Sequence, residues 1–157
     1  MFKTVEKPGI QLARGVCRDL IERGLMPLTE FPTKPGLRMD ICALDPAGEI
    51  WCIEVKSSRA DFQSDRKWTG YLDWCDRFFF AVPDGFPDEL LPLNQGLIRA
   101  DAYGAEILRP APNAPLNPAR RKAVTLRFAR LATQRLEQAE EALRKGSRLP
   151  SPLKGEG

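Results

Sequence analysis

Residues 38–56 read RMDICALDPAGEIWCIEVK, which is two strand-like segments joined by a Pro-Ala-Gly connection. A three-residue connection that ends in glycine is typical of a β-hairpin, with Gly48 in the left-handed backbone conformation. The first strand then ends near Asp45 and the second begins near Glu49. This hairpin predicts a sheet, and its register fixes which side chains of the two strands face each other.

The register of the hairpin brings charged side chains together at its open end. Counting outward from the loop, Cys42 faces Cys52 and Asp40 faces Glu54, and opposed Cβ atoms are about 5 Å apart. Because side chains alternate along a strand, Lys56 shares a face with the two acids. Two carboxylates this close repel each other unless a cation or a proton intervenes. The three side chains therefore suit a hard divalent cation, Mg²⁺ or Mn²⁺, and a phosphodiester.

The composition indicates an ordinary globular protein and excludes several kinds of chemistry. The chain has 157 residues, about one domain, and a net charge of +3 that is compatible with binding nucleic acid. It contains no histidine, which excludes serine–histidine and cysteine–histidine catalysis and histidine-based zinc sites. The four cysteines show no CxxC spacing, and we expect reduced thiols that pack in the core.

The sequence predicts neither a membrane segment nor an export signal. The longest apolar run, residues 78–82, is far too short to cross a bilayer. Residues 1–8 show no apolar signal-peptide segment. We therefore expect a cytoplasmic protein without a membrane partner.

The predicted elements form one α/β domain over residues 9–146, with 1–8 as an N-terminal extension and 147–157 as a disordered tail. One helix is a crossover between strands, so the strands that it joins should be parallel. The acidic residues then lie where a strand ends and this helix begins, a usual place for an active site. The predicted order is helix 9–23, strand 26–31, loop 32–36, the hairpin, crossover helix 58–75, strand 77–82, a second hairpin over 97–108 and a final helix capped by Asn117.

Apolar stripes predict the buried faces of the helices. In the first helix the stripe includes Val16, Leu20 and Ile21, and in the final helix it includes Phe128 and Leu136. Both helices are therefore expected to pack on the sheet.

Several stretches resemble those of known families. Residues 37–40 (LRMD) and 53–56 (IEVK) look like the core motif of the PD-(D/E)xK nuclease superfamily. Longer stretches resemble the bacterial MmcB family of DNA repair proteins, and the likeness extends from residue 10 to about residue 136. These stretches are 54–58 (EVKSS), 60–62 (ADF), 65–68 (DRKW), 79–83 (FFAVP) and 100–106 (ADAYGAE).

The resemblance implies a restriction-endonuclease-like core of order αβββαβ, a central mixed sheet flanked by helices, with a C-terminal helix and a role in DNA repair. It implies catalytic roles for Asp40, Glu54 and Lys56, where the motif itself is matched. Met39 stands where a proline often precedes the aspartate, which changes no reacting group. The first interpretation is a metal-dependent endonuclease. The alternatives are a catalytically silent DNA-binding or adaptor protein of a repair complex, and a generic α/β domain without a nucleic-acid role.

The expected chemistry follows from charge. Asp40, Glu54 and the Val55 carbonyl would hold Mg²⁺ or Mn²⁺ with water positions left open, and the ion would polarise a phosphate. Lys56 would orient the attacking water and offset the charge that develops on phosphorus. Glu30 in the first strand either acts as a further catalytic carboxylate, which completes this shell or holds a second ion, or is an exposed residue at the strand edge.

Basic residues near the acidic site are the predicted DNA contacts. Arg38 flanks the site, and Lys67 and Tyr71 lie one helical turn apart on the crossover helix, above the acids. For Tyr71 the alternative is core packing against the sheet.

The start of the final helix is the second predicted DNA contact. Arg120, Arg121 and Lys122 form a basic cluster there, which either touches phosphates or is a solvated helix face. DNA is thus the expected partner, and other DNA repair proteins are a second class of partner.

Overall fold

Within residues 6–146 the sheet contains six strands, which follow one another across it in the order in which they occur in the chain. The computed structural model describes residues 6–146, so the predicted tail over 147–157 and residues 1–5 of the predicted extension lie outside the described residues. The elements are α1 (Pro8–Glu22), β1 (Met26–Lys34), β2 (Leu37–Leu44), β3 (Ile50–Val55), α2 (Arg59–Ser64), a 3₁₀ segment (Trp68–Trp74), β4 (Arg77–Val82), a 3₁₀ turn (Asp88–Leu90), β5 (Gly96–Ala100), β6 (Ala105–Arg109) and α3 (Pro118–Gly146).

The sheet is mixed. β1, β2 and β3 are antiparallel neighbours, β3, β4 and β5 are parallel, and β6 is antiparallel to β5. Because β3, β4 and β5 run in the same direction, their carboxyl ends meet at one edge of the sheet. This topology confirms the predicted α/β fold, with helices on both faces and a C-terminal helix, and it is compatible with a restriction-endonuclease-like core.

The central hairpin has the predicted register. Cys42 pairs with Cys52, and both are buried free thiols, as expected. Gly48 has a φ of 88°, which glycine adopts without the steric cost of a side chain. The Asp45 carboxylate also fixes the turn, because it accepts a hydrogen bond from the Glu49 amide at 2.8 Å.

Both faces of the sheet are covered, as the almost entirely apolar sequence of β4 requires. Phe78 and Phe80 pack on one face with the 3₁₀ segment and with Phe128 of α3. Phe79 packs on the opposite face in a cluster that includes Val16 of α1. The sheet therefore separates two apolar layers, and the crossover from β3 to β4 lies in the same layer as α3.

Two residues of the predicted apolar stripes are exposed. Ile21 is 55% exposed beside the buried Leu20, at the edge of the face that α1 turns to the sheet. Leu136 is 60% exposed, because the part of α3 after it extends away from the sheet and consists of exposed residues. These two assignments were wrong, while Val16, Leu20 and Phe128 are buried as predicted.

The prediction of one continuous crossover helix over 58–75 was wrong. α2 ends at Ser64, and Asp65 has an extended backbone with a ψ of 118°. The Asp65 carboxylate bonds to Lys56 Nζ at 2.7 Å and accepts the Lys67 amide at 2.7 Å. These contacts hold the chain out of a helix, and the crossover continues as the 3₁₀ segment.

The predicted loop over 32–36 is mostly strand. β1 continues to Lys34, and Pro32 pairs with Arg38 of β2. The Thr33 hydroxyl is buried and donates to the Leu37 carbonyl at 2.7 Å. Pro32 fits in this strand because β1 is at the edge of the sheet, where a missing amide donor costs little.

A buried carboxylate joins α3 to the sheet. Asp76 accepts the amides of Ile50 at 2.7 Å and Leu116 at 2.9 Å, and it forms an ion pair with Arg121 at 2.5 Å. Burial alone would raise the pKa of Asp76, but these hydrogen bonds and the Arg121 charge hold it below its ordinary value. Nearby, the Asn117 side chain accepts an amide of α3 at 2.8 Å and caps the helix as predicted.

α3 also contacts the outer edge of the sheet. Arg135 donates to the carbonyls of Thr29 at 2.5 Å and Glu30 at 3.1 Å, and Arg127 donates to the Pro32 carbonyl at 3.0 Å. The helix therefore lies along β1. Among the helices described within residues 6–146, none combines the length and apolarity that a bilayer crossing requires.

α1 approaches the turn between β5 and β6 so closely that only glycine fits at Gly15. A Cβ atom there would lie 1.8 Å from the Asp101 carbonyl oxygen and 2.8 Å from that of Gly104. The turn is itself held by the Asp101 carboxylate, which accepts the Tyr103 amide at 2.7 Å. The obstacle is therefore backbone in a fixed turn, which cannot move aside as a side chain would.

Gly15→Ala should lower the free energy of unfolding by about 3 kcal/mol, because overpacking against fixed backbone is destabilising. The matched control is Gly9→Ala in the same helix, where a Cβ meets no other atom within 4 Å among the described residues. The control should change the free energy by less than about 1 kcal/mol. Urea denaturation followed by circular dichroism measures both values, and equal stabilities for the two variants would contradict this close contact.

Candidate active site

The candidate site lies where β2 and β3 stop pairing. The last paired residues are Ile41 and Ile53. Beyond them, the Asp40 amide donates to Glu54 Oε1 at 3.1 Å, and the Val55 amide donates to Asp40 Oδ2 at 2.8 Å. Side-chain carboxylates thus take the positions that backbone carbonyls have in a regular ladder. The predicted proximity of Asp40 and Glu54 is present, and each acid is anchored to the opposite strand.

The two acids resist ionisation. Burial raises the pKa of Glu54 to about 8, and the nearby Asp40 charge adds to this effect. Burial also raises the pKa of Asp40, although the Val55 amide partly opposes this shift. Without a cation, the pair therefore carries less than its full negative charge near neutral pH.

Lys56 lies beside Glu54 as predicted, and it has a second partner that the sequence reasoning missed. Its side chain is 7% exposed, with Nζ 3.8 Å from Glu54 Oε2 and 2.7 Å from Asp65 Oδ2. Burial alone would lower the pKa of Lys56, but the bond to Asp65 and the surrounding carboxylates raise it. Lys56 is therefore a buried ammonium group held in one position. The DRKW stretch that includes Asp65 was noted in the sequence, but as part of a helix.

Asp61 is a further acid near the site, which the sequence reasoning did not include among the site residues. Its carboxylate accepts the Ser57 amide at 3.1 Å, and its own amide donates to the Ser58 hydroxyl at 3.1 Å, so Ser58 caps α2. The Asp61 charge contributes to the raised pKa of both Asp40 and Lys56. Asp61 therefore strengthens the negative potential at the start of α2.

The donor set fits a magnesium or manganese ion. The Lys56 amide donates to the Ala81 carbonyl of β4 at 2.9 Å, so the Val55 carbonyl of the same trans peptide points the other way, toward β2. Asp40, Glu54 and this carbonyl offer hard oxygen donors. Within residues 6–146 no three Asp, Glu or Cys side chains form a group that could hold a metal. Two carboxylates are enough for Mg²⁺, which keeps several waters when it binds proteins.

Glu30 is not brought into this donor set. It is the one described residue other than glycine with a positive φ, 50°, and it interrupts the pairing of β1 with β2. Its side chain is 68% exposed and lies 3.7 Å from the Arg38 guanidinium. The geometry agrees with the exposed-edge alternative for Glu30.

The predicted DNA contacts next to the acids differ in accessibility. Arg38 and Lys67 are exposed, and Lys67 Nζ lies 3.5 Å from the Gly36 carbonyl. Tyr71 is buried, and its hydroxyl donates to the Arg38 carbonyl at 2.6 Å. Tyr71 thus occupies the core, as the packing alternative described, and holds the backbone of Arg38 in place. Arg38 and Lys67 remain available to a ligand.

The basic cluster of α3 is divided among three environments. The Arg120 guanidinium lies over the Trp74 ring, 3.8 Å from its centroid. Arg121 is committed to the ion pair with Asp76. Lys122 is exposed to solvent. The structure therefore does not present the three side chains as one surface.

Comparisons with known proteins show which family and which solved structure this chain resembles. A solved structure of a protein of unknown function from Silicibacter pomeroyi is similar to this chain, with 53% sequence identity and a TM-score of 0.84. The similarity covers 93% of this chain and 97% of that one. No curated protein matches the sequence. The family model described as DNA repair protein MmcB-like matches residues 4–143, so the chain belongs to the MmcB-like family of DNA repair proteins.

Proposed function

We propose that this DNA repair family member is a divalent-metal-dependent endonuclease that hydrolyses phosphodiester bonds of DNA. The supporting observation is the pair of acids, half-buried Asp40 and buried Glu54, where β2 and β3 stop pairing, with the Lys56 ammonium group 3.8 Å from Glu54. Burying an acid and an amine beside a second, half-buried acid is costly unless a ligand uses them.

The metal would be held by Asp40, Glu54 and the Val55 carbonyl. Each carboxylate uses one oxygen on a strand amide, Oδ2 of Asp40 and Oε1 of Glu54, and the second Glu54 oxygen, Oε2, lies 3.8 Å from Lys56 Nζ. A bound Mg²⁺ or Mn²⁺ would supply Lewis-acid polarisation of a phosphate oxygen and a lowered pKa for a bound water. The two strand amides hold the carboxylates in place before any ligand arrives.

Lys56 has the charge and position to stabilise a phosphate that gains negative charge. Its bond to Asp65 at 2.7 Å fixes the ammonium group, and a donor that is already oriented needs no reorganisation during the reaction. Asp65 is thus a positioning residue that acts through Lys56. The exposed Arg38 and Lys67 would neutralise phosphates on either side of the scissile bond.

A specific observation also supports the second candidate, a catalytically silent DNA-binding or adaptor protein. Asp40, Glu54 and Lys56 all have partners within the protein, and the raised pKa of Glu54, about 8, keeps part of the site protonated at neutral pH. A site satisfied in this way persists as a structural element without turnover. Metal binding and cleavage assays distinguish the two candidates.

The metal-free protein should lose stability as the pH rises, because of Glu54. Its pKa is raised from an ordinary 4.5 to about 8, so between these values the folded state binds more protons than the unfolded state. The free energy of unfolding must then fall as the pH rises through this range. Glu54→Gln stays neutral and should raise the melting temperature at pH 8, with little effect at pH 4.5.

The measurement is thermal denaturation in chelator across this pH range, with the exposed Glu140→Gln as the matched control. The control should follow the wild type at every pH. A wild-type melting temperature that does not fall relative to Glu54→Gln between pH 5 and 8 would show that Glu54 ionises normally.

Mn²⁺ should bind the wild type more tightly as the pH rises toward 8, because the metal needs the ionised carboxylates. Asp40→Asn should abolish this binding in a calorimetric titration. Glu30→Gln is the matched control, since Glu30 is an exposed carboxylate on the neighbouring strand, and it should bind Mn²⁺ as the wild type does. If Asp40→Asn and the wild type bind equally, the metal does not bind at this hairpin.

Lys56→Met should lower the rate of DNA cleavage by ~100-fold or more, the effect of losing one electrostatic contact to the transition state. Lys56→Met leaves the Asp65 carboxylate without its partner, which could destabilise the protein. The double variant Lys56→Met, Asp65→Asn removes that unpaired charge, so a rate that stays low in it reflects the lost contact to the transition state. Lys145→Ala, at the end of α3, is the control for loss of an exposed lysine outside the site. Single-stranded, duplex and branched DNA with Mg²⁺ or Mn²⁺ are the substrates, and a wild type that cuts none of them favours the adaptor protein.

A further inference from the structure

A groove of about 860 Å³ lies between the β1–β2 turn and α3. Its lining includes the side chains of Lys34, Arg38, Trp74 and Arg127, and among the described residues it includes no carboxylate. Arg38 is two residues from Asp40, so one end of the groove lies beside the candidate active site. A smaller groove of about 430 Å³ shares Pro32 and Arg127 with it and extends along α3.

Two guanidinium groups around this groove bond to neutral acceptors, whereas Arg38 lies 3.7 Å from the exposed Glu30 carboxylate. Arg127 donates to the carbonyls of Pro32 and Thr33, and Arg120 donates to the Asp73 carbonyl at 3.4 Å. Neutral acceptors fix a guanidinium without cancelling its charge, which leaves it available to an anion. By contrast, Arg77, Arg99 and Arg121 bond to the carboxylates of Glu49, Asp88 and Asp76.

Trp74 gives the groove a feature that phosphate binding alone does not need. Trp74 lines the groove, with the Arg120 guanidinium 3.8 Å and the Arg127 guanidinium 5.9 Å from the centroid of its ring. Aromatic rings and guanidinium planes are the surfaces on which proteins stack unpaired nucleobases. In a duplex the base faces are covered by neighbouring base pairs and cannot reach such a ring.

We infer that this groove binds an unpaired stretch of a DNA strand, with phosphates on Lys34, Arg38 and Arg127 and a base stacked on Trp74. This inference rests on the proposed function in one respect, that DNA is the ligand. It adds that the preferred substrate has a single-stranded segment next to the phosphodiester bond that is cleaved at Asp40.

The test is DNA affinity measured by fluorescence anisotropy in chelator, so that no cleavage occurs. The probes are a labelled single-stranded oligonucleotide and a blunt duplex of the same sequence, and unlabelled heparin is a competitor that has charge but no bases. Trp74→Ala should weaken single-strand binding about tenfold, as expected for loss of one stacked base. Its affinities for the duplex and for heparin should stay close to those of the wild type.

Lys34→Ala tests the charge of the groove. It should weaken the binding of both the single strand and heparin, and lower the slope of log affinity against log salt by roughly one unit. Arg18→Ala is the matched control, because Arg18 is exposed on α1, across the sheet, and should leave affinity and slope unchanged.

Trp74 also packs on the core, so Trp74→Ala could lose affinity because it is unfolded. Trp74→Phe is the control for this effect. It keeps a ring and should retain most of the single-strand affinity, and Tyr103→Ala, which removes an aromatic side chain that is 78% exposed, should have no effect. Melting temperatures show whether each variant is folded.

Three results would overturn the groove as a single-strand site. In the first, a folded Trp74→Ala variant binds the single strand as tightly as the wild type does. In the second, Trp74→Ala loses affinity for the single strand and for the duplex equally. In the third, the wild type binds the single strand no more tightly than the duplex. Failure of the proposed endonuclease has a different signature. If the wild type binds the single strand through Trp74 but cuts no DNA with either metal, the proposed nuclease activity is wrong, while the groove still stands as a single-strand binding site.

Discussion

The position of β3 and α3 relative to each other depends on the buried carboxylate of Asp76. Its oxygens accept the first amide of β3, the Leu116 amide before α3 and the Arg121 guanidinium within it. The Arg121 side chain also donates to the Gly48 carbonyl at 3.0 Å. One acid therefore holds the hairpin loop, the start of β3 and the start of α3 together. Since the other end of β3 carries Glu54, this contact sets where the candidate site lies relative to the groove along α3.

Asp76 and Glu54 show how the same kind of residue can serve stability or function. Both are buried carboxylates. Asp76 has a bonded guanidinium and two amides, which hold its pKa low. Glu54 has one amide, an ammonium group 3.8 Å away and a second acid as a neighbour, and its pKa is raised to about 8. The first set of contacts satisfies the charge completely, whereas the second leaves a place where a cation lowers the energy of the site.

Features set by neighbouring residues were predictable from the sequence, and features set by distant contacts were not. Turn chemistry at Gly48 and alternation along two strands were enough to place Asp40 opposite Glu54. The break of the crossover at Asp65 depends on Lys56, and the apolar spacing from Trp68 to Cys75 does not distinguish a 3₁₀ segment from an α-helix. The role of Arg121 could not be predicted because Asp76 is 45 residues away in the chain. Trp74 gains its surroundings only when α3 returns across the sheet.

The contacts between α3 and β1 also bear on solubility. β1 is an edge strand, and an edge with free carbonyls can recruit a strand from another molecule and begin aggregation. In this protein the Arg127 and Arg135 side chains occupy carbonyls along that edge, and the proline at position 32 interrupts its amide donors. The helix therefore shields the sheet from self-association while it forms one wall of the groove. Any motion of α3 wide enough to admit a bulkier ligand would uncover the β1 edge. The need to keep this edge covered therefore limits the size of the ligand that the groove accepts.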